Sequence, residues 1–260
     1  MSIPRAYKTE AIVLKRMNLG EADRILTLYT PYSGIIKAIA KGVRRPKSKL
    51  GGHVETLTHS TMMLAKGRNL DIIVQSQTID SFLPLRNDLW RTSCALYIAE
   101  LVDRFTEERS ENYPVYTLLL STLKSLVNTN NFQLLLRYFE LQLLGLLGYR
   151  PQLNQCINCK REIEPTNNFF SPGEGGVICP HCSSSELSIK PLSLNALKVL
   201  RLLQKGNFNE ANRVRLTADL SDELEIVMRE YIKYLLEREV KSVAFLDRLR
   251  KTKIIVSNTL

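Results

Sequence analysis

The sequence predicts an α+β multidomain protein, in which an N-terminal five-stranded barrel precedes a mainly α-helical domain with an inserted four-cysteine module. Three observations predict this order. Apolar residues repeat every two positions over residues 7–82, they repeat every three to four positions after Pro84, and two Cys-x-x-Cys pairs interrupt the helical part. The expected domains are 1–82 for the barrel, 83–151 together with 190–260 for the helical domain, and 152–189 for the inserted module.

Five segments rich in β-branched and small residues are predicted to be strands, because turn residues separate them. They are Ala11–Leu14, Arg24–Thr30, Gly34–Lys41, Glu55–Ala65 and Leu70–Phe82. In the third segment, alternation places Ile36 and Ala38 on one face and Lys37 on the other. Five short antiparallel strands in about 80 residues favour a closed barrel, because closure removes exposed edges. We expect an OB-fold rather than an SH3-like barrel.

The 3.6-residue period after Pro84 predicts helices. A first helix is expected to use one apolar face, made of Leu85, Leu89, Leu96, Ala99 and Val102. Further helices are predicted at Tyr113–Val127, Phe132–Leu147 and Leu194–Leu203, and a last one is predicted from the apolar residues between Leu224 and Leu235. Ser221 is predicted to be the N-cap of this last helix, because acidic residues follow it and suit the helix dipole.

The two Cys-x-x-Cys pairs are the most specific chemical signal in the chain. Cys156 and Cys159 form the first pair, and Cys179 and Cys182 form the second. Thiolates at this spacing can enter one tetrahedral sphere, and four of them satisfy Zn²⁺ completely. Because a catalytic zinc keeps an open position for water, this closed set favours one structural Zn²⁺ ion. A metal-free thiol cluster and an iron–sulfur cluster are less favoured alternatives, and His181 is interpreted as a bystander.

Positive charge is concentrated in the predicted barrel. The chain has 36 Lys and Arg against 26 Asp and Glu, and its formal net charge of +10 indicates an acidic partner such as nucleic acid or an anionic membrane surface. The segment Arg24–Val54 contains no acidic residue. The candidate nucleic-acid contacts in it are Arg24, Lys37, Lys41, Arg44, Arg45, Lys47 and Lys49.

An OB-fold binds single-stranded nucleic acid with cations for the phosphates and rings or apolar faces for the bases. Tyr7, Tyr29 and Tyr32 are the candidate rings of the barrel. The C-terminal cluster Lys241, Arg248, Arg250, Lys251 and Lys253 is a second, weaker candidate. The alternative interpretation is a solvated basic loop that only keeps the protein soluble.

Several function classes are disfavoured. The sequence has no Gly-x-x-x-x-Gly-Lys-Ser/Thr phosphate loop, and its three histidines do not form a ligand cluster with carboxylates. No apolar stretch approaches the ~20 residues of a membrane span, and the N-terminus lacks a signal-peptide pattern, so we expect a cytoplasmic, non-catalytic binding protein. Three other hypotheses stay open: a regulator that reads DNA with its zinc module, a zinc hydrolase or nuclease, and a protein of anionic membrane surfaces.

Three motifs carry a family resemblance. They are Gly-Glu-Ala-Asp-Arg at 20–24, Lys-Gly-Val-Arg-Arg at 41–45, and Leu-Leu-Gly-Tyr-Arg-Pro at 146–151 before the cysteine pairs. Their order along the chain closely resembles the RecO family of bacterial DNA-repair and recombination proteins. The resemblance covers essentially the whole chain. It implies an OB-fold followed by a helical domain, with a zinc module in many members.

The resemblance also implies a function as a recombination mediator in DNA repair. Such a protein binds single- and double-stranded DNA, anneals complementary strands and, with RecR, helps to load RecA onto DNA coated by single-strand-binding protein, whose C-terminal tail it contacts. The positions that match the family's basic region are Lys37, Lys41, Arg44 and Arg45. Because some members lack the cysteines, zinc is expected to support the fold rather than annealing. The implied location is the bacterial cytoplasm, at the nucleoid.

Overall fold

The computed structural model describes residues 6–185 and 188–257. The chain divides into two compact units. Unit 1 contains the residues up to Asn128 and those from Lys241 onward, and unit 2 contains Thr129–Val240.

Unit 1 is built on a closed five-stranded barrel. Its strands are β1 (Ala6–Leu19), β2 (Asp23–Thr30), β3 (Gly34–Ala40), β4 (His59–Ala65) and β5 (Asp71–Asp80). They pair in the order β1-β2-β3-β5-β4, and β4 returns to β1. All of these pairs are antiparallel except β3–β5, which is parallel. This is the Greek-key barrel of an OB-fold, as the sequence predicts.

Every second residue of β3 points into the barrel and helps to fill its core. Ile36, Ala38 and Ala40 are buried inside it, and Lys37 between them is exposed on the outside. Strand β1 is longer than the predicted segment, because it passes through a bulge after Val13 and continues as a ribbon with β2. The bulge lets one strand close the barrel and then extend beyond it.

The helices divide between the two units. They are α1 (Leu83–Arg86), α2 (Leu89–Phe105), α3 (Tyr113–Asn128), α4 (Phe132–Leu146), α5 (Leu194–Lys205), α6 (Phe208–Ala211), α7 (Ala218–Leu236) and α8 (Lys241–Ser257). Of these, α1, α2, α3 and α8 belong to unit 1, and α4 to α7 belong to unit 2. Helix α2 packs against β1, α3 and α8 within unit 1. The apolar face predicted for the first helix is wrong in part. Ala99 and Val102 are buried as predicted, but Leu85 belongs to α1, and Leu89 and Leu96 are exposed. The buried side of α2 includes Cys94 and Ile98 instead. No described helix is both long and apolar enough to cross a membrane.

Helix α7 begins one turn earlier than the sequence predicts. Its N-cap is Thr217, whose hydroxyl oxygen accepts a hydrogen bond from the backbone N–H of Leu220 at 3.3 Å. Ser221, the predicted cap, donates its own N–H to the carbonyl oxygen of Thr217 inside the helix. Thr217 and Ser221 are both competent caps, and the structure uses the first.

Unit 2 has two parts, a helical part and a small sheet. Helix α4 packs against α5 and α7. The sheet has the strands β6 (Asn168–Ser171), β7 (Gly176–Ile178) and β8 (Lys190–Leu192) in the order β7-β6-β8. The sequence did not predict these strands, because each has only three or four residues.

A buried charged network joins α4 to α7. Arg137 is 3% exposed, and its Nη2 lies 2.5 Å from Oε1 of Glu140, which is fully buried. Nη1 of the same guanidinium lies 3.8 Å from Oε2 of Glu225, and Glu225 also pairs with Arg229. Charges at this depth are tolerated only when they are paired.

Candidate nucleic-acid interface and metal centre

The chain between β3 and β4 forms a basic loop, which we define as residues 41–49. Its five cationic side chains are all exposed: Lys41, Arg44, Arg45, Lys47 and Lys49. Among the described residues, no carboxylate forms an ion pair with any of them. The loop therefore presents uncompensated positive charge to solvent.

Arg24 and Lys37 are placed differently from the basic loop. Nη1 of Arg24 lies 3.0 Å from Oε1 of Glu55, which also pairs with Arg16, and Lys37 pairs with Glu108. Both carboxylates lie outside the acid-free segment of the sequence, so the sequence pattern could not reveal them. The charges of Arg24 and Lys37 are partly compensated, which leaves the basic loop as the stronger anion-attracting surface.

The three candidate rings have different environments. Tyr29 is 0% exposed, so its interpretation as a base-stacking residue is wrong. Tyr7 donates a hydrogen bond of 2.5 Å to Asp71, and burial together with this carboxylate raises the pKa of its hydroxyl. Tyr32 is exposed but stacks on Tyr113, with ring centroids 5.7 Å apart, in the turn at the far end of β3 from the basic loop.

The net charge of the chain resides in unit 1. Residues 129–240 carry 13 basic and 13 acidic residues, so unit 2 is formally neutral. The remaining 23 basic and 13 acidic residues belong to unit 1 and supply the whole net charge of +10. Long-range attraction of a polyanion is therefore a property of the unit that contains the barrel.

The four cysteines of unit 2 meet at one point. The Sγ atoms of Cys156, Cys159, Cys179 and Cys182 all lie within 4.8 Å of one another, and those of Cys159 and Cys179 are 3.8 Å apart. Four sulfurs at about 2.3 Å from a tetrahedral ion are about 3.8 Å from each other. The donor set fits one tetrahedral metal ion, and His181 is not part of the cluster.

Backbone turns hold the two cysteine pairs. In the first, the N–H of Lys160 donates to the carbonyl oxygen of Cys156 at 2.9 Å, and Lys160 has a positive φ of 61°. In the second, the N–H of Cys182 donates to the carbonyl oxygen of Cys179 at 3.0 Å. These tight turns direct two sulfurs from each pair toward the same point.

The thiols influence each other's ionisation. Burial acts to raise the pKa of Cys156, but backbone N–H groups, including that of Cys179, outweigh it and lower this pKa to about 6. The hydrogen bond between Cys182 and Cys179 raises the pKa of Cys182. One thiolate therefore forms easily, whereas four thiolates at this distance need a cation between them.

Two family models together match almost the whole chain. Residues 1–82 match the model described as Recombination protein O N terminal, and residues 86–244 match the model described as Recombination protein O C terminal. The chain belongs to the RecO family. The resemblance stated from the three motifs is thereby confirmed.

Curated RecO proteins are similar to this chain over nearly its full length. The DNA repair protein RecO of Dehalococcoides mccartyi strain CBDB1 is 44% identical over 250 residues, which cover 96% of this chain and 98% of that protein. The DNA repair protein RecO of Roseiflexus sp. strain RS-1 is 44% identical over 95% of this chain and 87% of its own length. The DNA repair protein RecO of Desulforamulus reducens is 36% identical over 96% of this chain and 97% of its own length.

In this RecO-family chain, two of the three motifs contact each other. The backbone N–H of Arg44, in the second motif, donates to the carbonyl oxygen of Ala22 at 2.9 Å. The Nη1 group of the same residue donates to the carbonyl oxygen of Gly20, also at 2.9 Å. The N–H of Gly42 donates to Asp23 Oδ1 at 2.7 Å, and Gly42 has a positive φ of 63°. The first motif therefore anchors the start of the basic loop at the turn between β1 and β2.

Proposed function

We propose that this RecO-family protein is a recombination mediator that binds single- and double-stranded DNA through unit 1 and anneals complementary strands. We also propose that the protein, together with RecR, helps to load RecA onto DNA coated by single-strand-binding protein. The observation that carries the proposal is the basic loop. It has five exposed cations that form no ion pair with a carboxylate in the described part of the chain, and it belongs to the unit that supplies the whole net charge. The family shows a role in DNA repair and recombination.

Annealing is compatible with this kind of surface. Two complementary strands repel each other through their phosphates, and bound cations reduce that repulsion. Contacts to phosphates carry no sequence information and leave the base edges accessible for pairing. The protein then needs no covalent chemistry, which is why we propose a non-catalytic function.

We further propose that the four cysteines hold one structural Zn²⁺ ion. The sulfur spacing fits a tetrahedral ion, and a four-thiolate set leaves no open position for a substrate or a water molecule. The same feature argues against a zinc hydrolase or nuclease. The neutral charge of unit 2 argues against the zinc module as the main DNA reader.

RecR and the C-terminal tail of single-strand-binding protein are proposed as protein partners on the strength of the family alone. An acidic tail is compatible with a chain of net charge +10. We propose a location in the bacterial cytoplasm, at the nucleoid, where these partners and DNA are found, and no membrane partner.

Reversal of three charges of the basic loop tests the proposed function. In a variant with Lys41→Glu, Arg44→Glu and Arg45→Glu, we expect single- and double-stranded oligonucleotides to bind roughly a hundredfold more weakly, because three phosphate contacts become repulsions. Fluorescence anisotropy measures the binding, and strand-annealing rates should fall in parallel. Circular dichroism verifies that the variant is folded.

A matched control separates the basic loop from general charge. Lys198, Lys205 and Arg215 are exposed cations of unit 2, and their reversal to Glu changes the net charge by the same amount. We expect this control to lose only a small part of the affinity. Equal losses in the two variants would show that DNA responds to total charge and would overturn the proposed role of the basic loop.

A further inference from the structure

The outer face of the barrel carries an apolar row that crosses four strands. The strand register places Met17 opposite Ile25, Ile25 opposite Ile39, and Ile39 opposite Ile72. Met17 is 56% exposed and the three isoleucines are partly exposed. Because neighbouring strands lie about 4.8 Å apart, the row is about 14 Å long. We call these four residues the apolar row.

The apolar row adjoins the start of the basic loop. On β3, Lys37 precedes Ile39 by two residues, so strand alternation directs both toward the same face, where Lys37 pairs with Glu108. Lys41 follows Ile39 by two residues and is the first residue beyond the end of β3. Lys41 is also the first residue of the basic loop. The apolar row is therefore continuous with the surface that we propose to bind phosphates.

We infer that the apolar row receives the faces of unpaired bases while the basic loop holds the neighbouring phosphates. This inference rests on the proposed function and names the chemistry of its ligand, the bases of single-stranded DNA. A length of about 14 Å matches about four stacked nucleotides at 3.4 Å each. The exposed cations of the adjoining basic loop suit a polyanion with apolar bases better than they suit an uncharged protein surface.

The apolar row distinguishes single strands from duplexes. Base faces are accessible in a single strand and are stacked inside a duplex, so only the single strand gains from the apolar contact. Aliphatic side chains accept any base and occupy its face, which leaves the pairing edge free. A strand held in this way is still able to pair with its complement, as annealing requires.

Oligonucleotides with and without bases test the inference. The probes are a 12-nucleotide deoxythymidine strand and an abasic strand of the same length and charge. We expect the wild-type protein to bind the strand with bases about tenfold more tightly than the abasic strand, as a few apolar base contacts would give. In a Met17→Ser, Ile39→Thr variant this ratio should fall close to one, with the affinity for the abasic strand unchanged.

Two further variants keep the test decisive. Met17→Ser alone changes a largely exposed side chain, so this variant should fold even if the double variant does not. It should lower the ratio of the affinity for the strand with bases to the affinity for the abasic strand. Ile79→Ser removes another exposed apolar side chain of β5, 52% exposed and outside the apolar row, and should leave the ratio at its wild-type value.

The outcomes separate this inference from the proposed function. An unchanged ratio in the folded row variants, or a ratio of one in the wild type, would overturn the inference alone, provided that basic-loop reversal still weakens both probes. A row variant that changes only self-association in sedimentation would assign the row to a contact between copies of the chain, and would also overturn it. If basic-loop reversal weakened neither probe, the proposed function itself would be wrong.

Discussion

Replacing Cys156 by serine is expected to release the proposed zinc ion and to unfold the cysteine module of unit 2. Cys156 is fully buried and supplies one of the four clustered sulfurs. Structural zinc sites contribute about 10–16 kcal/mol of apparent binding free energy, and the three-stranded sheet beside the cluster has strands of only three or four residues. Metal analysis should find one zinc per wild-type chain and none in the variant. Limited proteolysis should cleave the variant within 152–189.

The control for this experiment is His181→Ala. His181 is exposed and lies outside the sulfur cluster, so this variant should keep its zinc and its resistance to protease. The Cys156→Ser variant should still bind oligonucleotides within a few-fold of the wild type, because the basic loop belongs to unit 1. A Cys156→Ser protein with full zinc content and wild-type proteolysis would rule out the proposed metal centre.

Replacing Arg137 by methionine is expected to lower the free energy of unfolding of unit 2 by about 3–5 kcal/mol, because it removes the cation that pairs with the buried carboxylate of Glu140. Glu140 is fully buried beside Arg137, and Glu225 is almost fully buried. Chemical denaturation followed by far-UV circular dichroism measures the change. The only tryptophan, Trp90, lies in unit 1, so its fluorescence does not report on unit 2 directly.

Two further variants identify the cause of the Arg137 effect. Lys198→Met removes an exposed cation from α5 and should change the free energy of unfolding by less than about 0.5 kcal/mol. Adding Glu140→Leu to Arg137→Met removes the buried carboxylate as well and should recover most of the loss, because an apolar pair of similar volume replaces an ion pair at little cost. If Arg137→Met proved as stable as Lys198→Met, the buried network would contribute nothing to stability.

The barrel could be predicted from the sequence because its signals are local. Strands β3 and β4 alternate between buried and more exposed residues over most of their length, and glycines and other turn residues separate the strands. Ile36, Ala38 and Ala40 show this most clearly, since all three are buried inside the barrel. The cysteine cluster was predictable for the same reason, because each Cys-x-x-Cys pair is a local motif with a known chemical requirement.

The features that the sequence could not predict depend on contacts between distant residues. Glu55 and Glu108 reach Arg24 and Lys37 from other elements, so an acid-free segment in the sequence is not acid-free in space. Tyr29 is a candidate surface ring in the sequence, but the structure buries it completely.

The C-terminal helix is another feature that the sequence could not predict, because its N-terminus is capped by a distant residue. The sequence suggested only a cationic cluster there, whereas the chain forms the helix Lys241–Ser257, which packs on α2. The backbone N–H groups of Lys241 and Ser242 donate to the carboxylate of Glu100 at 3.1 and 2.8 Å. Burial opposes ionisation of Glu100, but these N–H groups outweigh it and lower its pKa. A partner more than a hundred residues away thus caps this helix.

The salt dependence of DNA binding tests the central proposal, which is that the basic loop binds the phosphate backbone of DNA. The measurement compares the wild type with a variant in which Lys41, Arg44 and Arg45 are replaced by glutamine, using one single-stranded oligonucleotide over a range of salt concentrations. Each lost phosphate contact lowers the slope of log Kobs against log salt by about 0.7, so the slope should fall in magnitude by about 2. A folded variant with the wild-type slope would contradict the account, because the DNA would then be held by other charges.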